Sequence, residues 1–145
     1  VQYRVRMAIE NLSDGTDTYS IRMGLSDLSN LSTGDPDNGV FFRYTHSVNS
    51  GEFQAVTRAA STETATDSNV AAATTYKILG IQVAQDRSSV TFTIDGVVVA
   101  TNTTNIPANT TELYFYSQIL KSAGTNERKL HIDWDEIKLV RATAR

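Results

Sequence analysis

Asp133-Trp134-Asp135-Glu136 is the densest acidic string of the chain. Two carboxylates held about 5 Å apart can act as nucleophile and general acid on a glycosidic bond. On a regular strand Asp133 and Asp135 share a face, but a solvated face with Lys138 nearby accounts for the same residues. A second acidic group lies in "SDLSNLSTGDPDNG", residues 26–39. Asp27, Asp35 and Asp37, with Asn30 and Asn38, carry the oxygens that a hard cation such as calcium takes. No twelve-residue pattern there ends in Glu, and Asx turns satisfy the same side chains without metal. His46 and His131 are the only histidines. Tyr44, Tyr114 and Tyr116 are the candidate platforms for a sugar ring. Trp134 keeps phase with Leu130 and Ile132 and is assigned to the core. Tyr114 and Phe115 must face opposite ways, so one of them lies outside. Four Asn-x-Ser/Thr sequons occur, at Asn11, Asn30, Asn102 and Asn109; in a chain this rich in Ser, Thr and Asn they arise by chance. No Gly-rich phosphate loop and no Ser-His-Asp order is present, and the expectation is a non-enzyme.

The elements that position these residues are strands. Tyr3, Val5, Met7 and Ile9 alternate with polar residues, as do Tyr19, Ile21, Met23 and Leu25. Each set reads as a half-buried strand, and the short turn at residues 13–17 suggests a hairpin between them. Strands are also expected over residues 40–47, 52–59, 76–85, 113–121 and 129–140. The alternation of the last slips at Asp135-Glu136, the place for a β-bulge. Residues 76–85 are apolar on both faces for part of their length and read as a central strand. "SSVTFTIDGVVVATNTT", residues 88–104, is a hairpin around Asp95-Gly96, whose two positive-φ positions make a type I′ turn. Residues 61–75, polar and Ala-rich, read as a loop. About nine strands and no convincing helix mean one all-β domain over residues 1–145, an antiparallel two-sheet sandwich. The alternation is already under way at Gln2, so residues are expected before Val1.

Composition narrows the classes of partner. The 145 residues carry a formal charge of -3 and no cysteine. That removes disulfides and thiolate metal sites. Scattered basic residues leave no nucleic-acid footprint. No apolar run approaches the roughly 18 residues of a membrane span.

"TYKILGIQV", the hairpin of residues 88–104 and the closing "LHIDWDEIKLV" together resemble the concanavalin A-like jelly roll, including laminin-G-type sandwiches. "GVFFRYTHSVNSGEFQAVTRA" with the later hairpin is similar to jelly-roll domains of tailed-phage structural proteins. The resemblance covers roughly residues 19–140 and marks fold more strongly than function. It implies a virion protein: a head decoration or cement domain, or part of a tail fibre. Its implied partners are other virion proteins and copies of itself, a trimer being one arrangement; nucleic acid and membrane are not expected. The alternative is a carbohydrate-binding module for host surface glycan, using Tyr44, Tyr114 and Tyr116. Calcium at Asp27, Asp35 and Asp37 also belongs to what the resemblance implies. Glucanases of this fold carry Glu-x-Asp-x-Glu on one strand, and the string 133–136 departs from it. Lyases of related sandwiches use Tyr, His, Arg and Gln; Tyr114, Tyr116, Gln118 and His131 are the nearest set, without that family's motifs.

Overall fold

Period-two alternation builds ten strands in the computed structural model, which describes residues 1–32 and 34–139. They are β1 (Gln2–Ile9), β2 (Tyr19–Ser26), β3 (Gly39–Thr45), β4 (Glu52–Ala59), β5 (Thr62–Ala71), β6 (Lys77–Val83), β7 (Val90–Ile94), β8 (Val97–Asn102), β9 (Tyr114–Lys121) and β10 (Leu130–Lys138), with one 3-10 turn at Asn49–Gly51. The last strand was expected to reach Val140, which lies outside the described residues. Every pairing among the ten is antiparallel. One sheet, A, has the order β10-β1-β6-β7-β8; the other, B, has the order β5-β4-β3-β2-β9.

The apolar halves of the alternating strands face each other between the sheets. Phe92 of sheet A meets Phe42 of sheet B edge-on, with ring centroids 5.3 Å apart. Phe53 packs on Phe42 at 6.3 Å. Val5, Ile21, Leu79 and Ile81 close this layer at no more than 1% exposure. Two packed β layers with a dry interior are the stable solution for strands of this pattern.

The turn at Asp95-Gly96 is as expected, with φ of 51° and 83°. The Asp95 carboxylate accepts from Ile78 N at 2.9 Å and from Lys77 Nζ at 2.9 Å. The hairpin is thereby tied to the central strand β6.

Four expectations are corrected. β1 and β2 do not form a hairpin. β1 pairs with β10 and β6, and β2 with β3 and β9. Their apolar faces therefore meet across the core, and the segment between them crosses from sheet to sheet. Residues 62–71 are a strand, not a loop. β5 has only Ser68 buried, so no apolar alternation reveals it; Thr-rich backbone pairs with β4 at an edge. Its hairpin turn is Ala60-Ser61, at φ 47° and 66°, made by residues that give no Asn-Gly signal. The bulge of β10 lies at Asp133. Arg6 faces Trp134 and Met7 faces Ile132, so Asp133 is the extra residue. Trp134 is consequently not a core residue: it turns to the outer face, half-buried, with Arg4 over its ring at 5.5 Å.

Candidate functional site

All eight residues of β2 are buried, on both faces. The inner face is covered by sheet A. The outer face is covered by residues 27–32 and 34–38, which fold back over sheet B. This covered outer face is where the polar side chains of the chain converge, and it is built in rows across the strands. One row is Gln118, Arg22, Arg43, Gln54 and Asp67. The next is Tyr116, Gly24, Phe41, Val56 and Ala65. A Cβ at Gly24 would sit 2.3 Å from Val40 O. Tyr116 and Phe41, the neighbours of Gly24 in the row, meet edge-on with ring centroids 6.1 Å apart.

Arg22 and Arg43 stand directly opposite each other, a pairing of like charges that destabilises a sheet. Asp35, from the covering loop, resolves it. One carboxylate oxygen accepts from Arg22 Nε, and the other accepts from Arg43 at 2.6 Å. Glu63 accepts twice from Arg43, at 3.1 Å each, and from Arg58 at 3.0 Å. Gln54 and Gln118 receive further guanidinium N–H groups. Burial opposes ionisation of Asp35, but the hydrogen bond from Arg22 and the charge of Arg43 outweigh it and hold its carboxyl below the ordinary value. Burial likewise opposes the Arg43 charge, and Glu63 and Asp35 more than offset that. Gln118 Nε2 also donates to Leu31 O, which fixes the loop tip to β9.

The remaining loop acids are held separately. Asp27 accepts from Ser29 N, Ser29 Oγ, Asn38 N and Asn38 Nδ2, between 2.7 and 3.1 Å. Asp37 accepts from Asn30 Nδ2 at 3.0 Å and Ser61 Oγ at 2.5 Å. Asp27, Asp35 and Asp37 are therefore spread over three hydrogen-bond sets. Among the described residues no three His, Asp or Glu side chains form a metal-holding group. The donors here are N–H and O–H groups, and they leave the carboxylates in the pattern of Asx turns.

The three tyrosines are placed apart. Tyr44 is in the core, 4% exposed, edge-on to Tyr19 and Phe53, and accepts from Ser13 N. Tyr116 is 4% exposed beneath the loop, and burial raises its hydroxyl pKa. Only Tyr114 is open, with its hydroxyl donating to Glu112 at 2.7 Å. The acidic string is split by the bulge: Asp133 pairs with Arg6, while Asp135 stands opposite Val5. His131 lies on sheet A, 3.1 Å from Glu10, away from Gln118 on sheet B.

Among the described residues several clefts open at the surface, and two contrast in their lining. One, of about 510 Å³, lies beside the end of the covered face and is lined by the hydroxyl-bearing Thr18, Ser20, Ser32, Thr45 and Ser122 together with Tyr19, His46, Leu120 and Lys121. The other, of about 320 Å³, is apolar and is lined by Val1, Leu25, Ile106, Leu113, Ile137 and Leu139 among others. Sequence reasoning missed the Arg22–Asp35–Arg43 bridge. Its signal was the pair of arginines at outward positions of two neighbouring strands, which needs the register to be read.

Two five-stranded antiparallel sheets in this order define a concanavalin A-like jelly-roll sandwich. The fold is shared with a Bacillus licheniformis β-glucanase, at a TM-score of 0.57 and 15% identity over 92% of this chain and 64% of that one. A native glycosidic hydrolase matches at a TM-score of 0.57 and 13% identity, over 92% and 62%. Sheep galectin-11 in complex with glycerol matches at 0.50 and 12%, over 90% of each chain. The chain thus spans under two thirds of the length of the two hydrolases, and at these identities the likeness is one of fold. No curated protein matches the sequence. The sequence model of the SO2946-like, C-terminal domain family matches residues 2–133, and the chain belongs to that family.

Proposed function

We propose that the chain is a non-enzymatic interaction module on the surface of a tailed-phage particle, as a head decoration domain or within a tail fibre. The observation that carries the reading is the covering of the outer face of sheet B over β2, whose eight residues are all buried. There residues 27–32 and 34–38 are bound down over β2 and β3, the middle of the sheet, through Asp35, Asp27 and Asp37. A face fixed in this way makes a rigid unit whose contacts are made by its edges and loops. The sequence resemblance of residues 39–59 and 88–104 to phage structural jelly rolls supports the virion setting. Cosedimentation of the purified chain with capsids lacking it tests the proposal. Saturable binding supports it; no binding to heads or tails sinks it.

A second reading, recognition of host surface glycan, is favoured by the cleft at Ser20, Thr45, His46 and Lys121, which carries several hydroxyls, and by the exposed ring of Tyr114. The shared fold with a galectin and a β-glucanase gives it weak support. A glycan array probed with the chain and with Tyr114→Ala separates the two. Saturable sugar binding lost in the variant belongs to this second reading.

A further inference from the structure

Four strands end the two sheets, and three of them are guarded. β10 carries His131, Asp133, Asp135, Glu136 and Lys138, and β5 carries Glu63 and Asp67. Charged side chains on an edge deter the pairing of another strand. β8 is uncharged and exposes Val97 and Val98 beside its turn, but it is only six residues long and its far end is tied to β5: Thr66 Oγ1 donates to Asn102 at 2.7 Å, and the Thr64 and Thr104 hydroxyls meet at 2.6 Å. β9 differs. It is eight residues long and carries no charge from Tyr114 to Leu120. Tyr114 is 49% and Phe115 41% exposed. Phe115 rests on Tyr3 of the facing sheet at 5.0 Å, and Tyr3 stands opposite Ile137, itself 40% exposed. An unguarded edge is thus continuous with an apolar strip on the same flank.

We infer that β9 pairs antiparallel with β9 of a second copy of this chain, about a two-fold axis at Ser117, joining two B sheets into one of twice the width. This goes beyond the proposed function and does not depend on what the module binds. The register argues for the second copy as occupant. Centred on Ser117, the pairing sets Phe115 opposite Ile119 on the inner face. On the outer face it sets Tyr114 opposite Leu120 and Tyr116 opposite Gln118. Phe115–Ile119 and Tyr114–Leu120 match apolar side chains, and such cross-strand pairs are the unit of sheet stabilisation. Centring one residue either way sets Phe115 opposite Ser117 or Lys121. The ends also complement: Glu112 precedes the strand and Lys121 closes it, so an antiparallel partner brings acidic end to basic end. A closed two-fold arrangement uses the same patch on both copies and leaves no β9 edge free.

Sedimentation of the 145-residue chain across the micromolar range is expected to give twice the 15.9 kDa chain mass. Ser117→Cys is expected to lock that dimer on mild oxidation, because facing residues of a two-fold pair lie within the roughly 4.4–6.8 Å Cα spacing of a disulfide. Thr101→Cys, exposed on β8, is the control and stays uncrosslinked. Tyr114→Lys, at an exposed position, weakens association at least about tenfold while the circular dichroism spectrum is unchanged. A single-chain mass throughout, a trimer, or a dimer that Ser117→Cys does not lock overturns the inference.

Discussion

Asp35 is the residue on which the covered face depends. It neutralises two arginines that face each other on neighbouring strands and are 7% and 12% exposed in their side chains. Removing one partner from a largely buried ion pair costs about 3 kcal/mol or more. Asp35→Asn is therefore expected to lower the unfolding free energy by that amount, read as a lower denaturant midpoint with little change in slope. The pH dependence follows the same group. Its folded pKa lies below the ordinary 3.8. Its stabilisation is thus present above that value and is lost as pH falls through the folded pKa. Thermal melting across this acid range should fall more steeply for the wild type than for Asp35→Asn. Asn102 is a second such residue. It is 2% exposed and donates to Ala55 O at 3.1 Å, with Thr57 Oγ1 and Thr64 O at 3.3 Å, while accepting from Thr66. Asn102→Ala leaves these groups unmatched and is expected to cost about 2–3 kcal/mol, measured by urea unfolding. Its burial also makes the sequon at this position a poor acceptor in the folded chain.

At the scale of elements, the covering loop and the β4–β5 hairpin are one device. Ala60 N donates to Asn38 Oδ1 and Ser61 N to Asp37 O, each at 2.9 Å. These bonds hold two non-glycine residues at positive φ, where L-residues cost roughly 1–2 kcal/mol each. Ala60→Gly relieves one of them and is expected to raise the melting temperature, for a gain of about 0.5–1 kcal/mol after the entropy of the added glycine. The hairpin was not legible because its signal lies in the partners supplied by residues 37 and 38, not in the turn residues. The bulge was legible as a break in phase, yet its position was not. Asp133 is the extra residue, paired with Arg6 on β1, and the following Trp134 stands opposite Arg6 on the outer face.

At the scale of the molecule, the two sheets are tied unequally along their flanks. The β5–β8 side is closed by threonine hydroxyls and Asn102. The β9–β10 side exposes Phe115 and Ile137. The closed loop also bears on the cation reading of Asp27, Asp35 and Asp37. Each carboxylate already has N–H or O–H donors, and a cation would have to displace them. Calcium at millimolar levels is therefore expected to leave the melting temperature unchanged, and EDTA likewise; a calcium-dependent rise of several degrees would contradict the hydrogen-bond sets described here.

The local pattern of Tyr3-Val5-Met7-Ile9, of Tyr19-Ile21-Met23-Leu25 and of Val90-Phe92-Ile94 determined by itself that these segments are strands with one apolar face. Asp95-Gly96 likewise determined its own turn. These are short-range properties, fixed by a side-chain period of two and by backbone conformational preference. Which strand lies beside which was decided only by the tertiary structure. So were the crossing of β1 and β2 to different sheets, the meeting of Arg22 with Arg43, and the descent of Asp35 between them. Those facts depend on register between segments far apart in the chain, and an alternating pattern is the same in every register that keeps its apolar face inward.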